Sequence, residues 1–193
     1  TAGQPLPQTT AGRVLLLLAE LAGTEAAPVP LMALLVHPLV GAGERRAAWL
    51  ENARALDLEL RGPRPKPGFA PVEAAVAKLA RRGRGEDIAE WWQGVAEVLA
   101  PVLVLPEETS LAEALDVLSA AGEALCGSRL WGEADGRALA AWLEELRDAS
   151  AVIGTRLARA DLAQVLRDAM DRVPVRPPWG GHPRIAIYGL LEA

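Results

Sequence analysis

The chain has 193 residues, 51% of them hydrophobic, enough for one domain that buries roughly 70% of its unfolded surface without disulfides or metals. A single cysteine, Cys126, excludes internal disulfides and a Cys-rich metal site and suits a reducing cytosol. The formal net charge of −5 excludes a chain built as a whole to grip a polyanion, so any nucleic-acid contact must come from a local patch.

Ala and Leu dominate, with one Phe and one Tyr, a mixture that favours closely packed helices. Thr9 or Thr10 can cap a first helix to about Ala22, with Gly23 closing it and Val14, Leu18 and Leu21 on its buried stripe. The run "VLLLLAELAG" inside it falls well short of the ~20 apolar residues of a membrane span. No basic segment with a cleavage site precedes it, so no signal peptide is expected. A short second helix opens at Pro28 and Pro30 and stops before Pro38. A third, from about Glu44 to Leu60, carries Trp49, Ala53, Leu56 and Leu60 on one face. "RGPRPKPGFAP" cannot be helical, because its prolines fix φ and delete donors.

Helix resumes at Pro71 and frays at Gly83. The next has Ile88, Trp92, Val95 and Leu99 in step, with a kink or stop near Pro101. Ser110 and Glu113 have the spacing of a capping box for a helix aligning Leu111, Leu115, Leu118, Gly122 and Leu125. "GRALAAWLEELRDAS" and "ARADLAQVLRDAMDRV" give two more. The expectation is an all-α fold of a single multi-helix domain, seven or eight helices, with no strand before Ile185. Residues 1–173 form that helical domain, and 174–193 a Pro/Gly-rich loop and short extended arm.

Catalytic motifs are missing. "GAGERR" lacks the Lys and Ser/Thr of a phosphate loop, Ser128 is not in a nucleophile elbow, and His37 and His182 have no clustered carboxylate beside them. His37 reads as a polar residue finishing a helix, and the acidic residues, alternating with Arg, as solvated faces. Of the six tryptophans, Trp49, Trp92 and Trp142 fall on apolar stripes, whereas Trp179 is the best candidate for exposure. Two basic clusters remain as candidate DNA contacts. Arg61, Arg64 and Lys66 sit in the proline-rich break, and Arg81, Arg82 and Arg84 at a helix end, where cations also complement the helix dipole.

"PLMALLVHPLVGAG", "RALDLELRGPRPKPGF" and "GHPRIAIYGLLEA", in that order, resemble the AddB subunit of bacterial AddAB helicase–nucleases in its alphaproteobacterial form. Leu190 stands where relatives would carry proline. The resemblance implies a non-catalytic accessory insertion of a superfamily 1 helicase-like protein, whose last residues return into a RecA-like lobe. It implies a role in double-strand break repair by recombination, with duplex DNA ends and an AddA-type helicase–nuclease subunit as partners. ATP, magnesium and an iron–sulfur cluster would belong to the rest of such a parent, and no cofactor, metal or small-molecule substrate to this stretch. The missing initiator Met and abrupt end fit a piece of a longer cytoplasmic protein. The alternative is a protein–protein interaction module without nucleic-acid contact.

Overall fold

The computed structural model describes residues 3–61 and 66–176, with the backbone alone at 84–86. Among these residues the chain is an all-α single domain. Its helices are α1 (Thr10–Thr24), α2 (Pro28–Leu35), α3 (Arg46–Leu60), α4 (Phe69–Leu79), α5 (Gly85–Leu103), α6 (Leu111–Cys126), the four-residue α7 (Arg129–Gly132), α8 (Ala134–Ile153) and α9 (Leu162–Met170). Two small antiparallel ribbons accompany them. β1 (Gln4–Pro5) pairs with β4 (Pro174–Val175), and β2 (Glu108–Ser110) with β3 (Arg156–Ala158). These ribbons correct the expectation of no strand before Ile185. Two- and three-residue strands are too short to show a period in sequence.

Helix α1 is the axis of the fold. Val14 to Ala19 are each no more than 2% exposed, so along this stretch no face of the helix is left for solvent. Consecutive leucines can be buried this way only if helices surround them, and α2, α5, α6, α8 and α9 do so. Thr9 caps the start: its Oγ1 accepts from the Gly12 amide at 3.2 Å. Asp135, in the first turn of α8, accepts from the Ala11 amide at 2.8 Å. Glu25 in the left-handed region (φ 53°) closes the helix, its amide donating to Leu21. Gly23, expected to end α1, lies inside it. A Cβ there would come within 3.2 Å of the Arg159 carbonyl oxygen, so the small residue serves packing.

Helices α3 and α4 form a second tier, packed on each other, on α2 and on α5. Two side chains of α3 satisfy carbonyls at the free end of α2. Trp49 Nε1 donates to Leu35 at 2.7 Å, and the Arg46 guanidinium to Val36 at 3.0 Å and to Val40. At the far side of this tier Gly83 (φ 88°) turns a corner between two helices, where fraying was expected. Phe69 rather than Pro71 begins α4, and α5 continues through Pro101 to Leu103. Pro101 lies inside it, at the cost of the hydrogen bond that its missing N–H would give the Glu97 carbonyl. Buried residues from both tiers and from α6 to α9 make one continuous core. Among the described residues no helix is long and apolar enough to cross a membrane.

Candidate nucleic-acid interface

Arg61 directly follows α3, while Arg81 and Arg82 lie in the Ala80–Arg84 corner between α4 and α5. The α3–α4 packing brings both ends to one edge. Glu59, in the last turn of α3, accepts from Lys78 on α4 and from Arg82 at 3.0 Å. The hydrogen bond from Lys78, then the charges of Lys78 and Arg82, hold its carboxyl below the usual carboxylate range, against the opposing effect of desolvation. Arg61 pairs with Asp57 at 2.6 Å, one turn back. A shallow groove of about 280 Å³ runs between Leu60, Arg61, Pro71, Ala74 and Lys78.

These ion pairs lower the charge of the edge without hiding it. The Arg61 side chain is 69% exposed and that of Arg82 61%, and each guanidinium has more N–H donors than its carboxylate takes up. Lys66 and Arg81 are exposed. Sequence reasoning placed Arg61 and Arg82 in separate clusters and overlooked Lys78, which stands four residues before Arg82 on the same helical face. Arg64 and the Arg84 side chain lie outside the described residues, as do Trp179, His182 and the arm from 177 to 193.

The larger concavity lies at the other end of α3. A cleft of about 740 Å³ opens between the Gly41–Arg45 loop, the first turns of α3, the exposed side of α5 and the end of α6. The loop is anchored by the Gly41 amide, which donates to Leu125 at 2.9 Å. Gly41 has φ +59°, and a Cβ on it would fall 2.3 Å from the Trp49 ring, so glycine lets the indole lie against the backbone. Trp49 meets Trp91 edge to face, with ring centroids 5.5 Å apart. Glu44, Asp87 and Glu90 are exposed carboxylates of this cleft, with Arg45 beside them. Adjacent tryptophans in "EWWQG" mark the place in sequence. Spacing alone identifies Trp92 as core and leaves Trp91 unassigned.

His37 is buried at the end of α2, its Nδ1 accepting from the Leu39 amide at 3.3 Å. Burial, then the nearby charges of Arg13 and Arg46, lowers its pKa to about 4, so the imidazole is neutral at pH 7. Cys126 is buried as well, and desolvation raises its thiol to about 12, which removes the thiolate a nucleophile needs. Trp92 and Trp142 are buried and Trp49 is half-buried against the core. Among the described residues no group of three or more His, Cys, Asp or Glu could hold a metal ion. No protein-family model, no curated protein and no solved structure matches the chain.

Proposed function

We propose that this chain is a non-catalytic helical accessory module of an AddB-type helicase–nuclease subunit acting in double-strand break repair. In this reading its α3–α4 edge rests Arg61, Lys66, Arg81 and Arg82 against the phosphates of duplex DNA, next to an AddA-type partner subunit in the cytoplasm. The parent's remaining parts would supply ATP hydrolysis, magnesium and any iron–sulfur cluster. The family assignment rests on the sequence resemblance. The DNA contact is supported by one observation: Glu59 holds Lys78 and Arg82 beside the groove that Arg61 also lines, and the Arg61 and Arg82 guanidinium groups stay accessible.

Phosphate contacts of this kind are weak and salt-sensitive. Four of them give log K a slope of about −3.6 against log salt, roughly a fifty-fold loss between ~50 and ~150 mM. Anisotropy titration of a labelled duplex at those two salt concentrations is the test. A variant with Arg61, Lys66, Arg81 and Arg82 all changed to Gln should flatten the slope. No binding at either concentration, or binding indifferent to the four substitutions, removes DNA contact from the proposal.

A second reading, a protein-interaction module without nucleic-acid contact, draws on exposed apolar residues beside the β2–β3 ribbon. Val104 is 76%, Val152 88% and Ile153 75% exposed. Capture of the partner subunit by the chain, lost on changing these three residues to Ser and kept in the four-Gln variant, favours this reading.

A further inference from the structure

The cleft beside Trp49 and Trp91 has a charge opposite to that of the α3–α4 edge. We infer that it is a docking site for an arginine side chain presented by a segment of a partner protein. This inference uses other residues than the DNA reading and stands apart from it.

Asp87, Glu90, Trp91 and Gly94 are spaced three, one and three residues apart on α5. They share the face of the helix that lines the cleft. Gly94 keeps this face open, since a Cβ on it would meet nothing within 4 Å. Glu44 closes the loop side. Among the described residues that line the cleft, three carry carboxylates and one, Arg45, a cation, so the field of these groups favours a positive group. Among the described residues no ion-pair partner stands beside Asp87 or Glu90.

A planar guanidinium suits this combination better than a phosphate, a carboxylate or an apolar side chain. It can stack on an indole and present paired N–H donors to carboxylates at its edge. The open surface over Gly94 leaves room for the aliphatic stem. A volume of about 740 Å³ exceeds what one side chain fills, so flanking backbone of the docked segment would occupy the remainder. Ligand clefts of several hundred cubic ångströms with a few converging polar groups are the usual recognition sites of folded domains.

The test uses the 193-residue chain and three probes followed through the indole N–H resonances of Trp49 and Trp91, with Trp91→Phe for assignment. The probes are a capped pentapeptide with a central arginine among alanines, the same peptide with citrulline, and arginine amide. The arginine peptide should shift both resonances saturably, and the uncharged citrulline peptide should bind at least about tenfold more weakly. Asp87→Asn with Glu90→Gln should cost about tenfold in affinity, and Glu44→Gln less. The remote pair Glu144→Gln and Glu145→Gln on α8 should cost nothing. Thermal unfolding of each variant confirms that the fold is kept. Equal binding of the citrulline peptide, no saturable shift, or indifference to the Asp87 and Glu90 substitutions would overturn the inference. Arginine amide binding as tightly as the peptide would overturn the partner segment in favour of a free cation.

Discussion

Two glycines on buried and exposed helix positions predict opposite outcomes for one substitution. At Gly12 in α1 an added Cβ would lie 2.0 Å from the Leu6 carbonyl oxygen and 2.9 Å from the Met170 methyl. That carbonyl accepts from both the amide and the hydroxyl of Thr9, so the backbone cannot retreat. Gly12→Ala should therefore cost about 3 kcal/mol despite alanine's better helix propensity. Gly94→Ala, with open space at the same point, should gain roughly 0.5–1 kcal/mol. Urea unfolding of the two variants compares the signs directly.

His37 supplies a pH dependence. Its pKa is 6.5 when unfolded and about 4 in the fold, so the unfolded chain binds the proton first. Stability from the neutral, buried imidazole is complete above pH 6.5 and is lost as pH falls toward 4, by up to about 3 kcal/mol. Charged groups facing it are the Arg13 and Arg46 guanidinium ions, which oppose protonation throughout. His37→Asn keeps an acceptor for the Leu39 amide and should flatten the unfolding midpoint between pH 6.5 and 5. An unchanged slope in that variant would assign the effect to other groups.

Among the helices and ribbons, the ends hold the surprises. Ser110 and Glu113 match a capping box, yet Ser110 makes no side-chain cap bond. It belongs to β2, and the Leu111 amide, a free donor of the first turn of α6, goes instead to the Thr155 carbonyl at 3.0 Å. The residue before β3 thus takes up one free amide of the helix start, though not the amide two or three residues in that a capping hydroxyl would serve. Ser110→Ala should shift the melting temperature little, where a working cap would cost ~1 kcal/mol. Arg159 shows the reverse. Nothing in sequence marks it, but its guanidinium donates to Leu103 at 3.0 Å and Leu105 at 3.1 Å and pairs with Glu25 at 3.1 Å. It satisfies the end of α5 and ties it to the end of α1. Arg159→Met, which keeps the stem but loses the donors, should cost roughly 2 kcal/mol. If Arg159→Met melts with the parent, the bonds add nothing net.

For the whole molecule, the two tiers predict where it opens first. Among the described residues the middle of α1 is covered on all sides, whereas α3 and α4 pack chiefly on each other, α2 and α5 and contribute to both candidate surfaces. Amides of α3 and α4 should exchange with solvent through openings of lower free energy than those of α1, which should follow global unfolding. Native-state hydrogen exchange measures this, and equal protection in both tiers would make the domain a single cooperative block. The lower-stability tier is also where a partner or a duplex could be accommodated with small cost to the core.

Helix positions and buried faces were largely legible in the amino-acid order. The stripe Leu111, Leu115, Leu118, Gly122, Leu125 is buried as spaced, and so is Ile88, Trp92, Val95, Leu99. Proline at 28, 30 and 38 brackets α2 as expected. These are local matters, set by a 3.6-residue period and by φ restrictions that act within one turn. Tertiary structure alone decided which carbonyl takes the first amide of α6, that Arg82 reaches Glu59 two residues before Arg61, and that Trp91 lines a cleft while Trp92 enters the core. Those outcomes depend on how residues far apart in the chain approach one another, and no periodicity carries that distance.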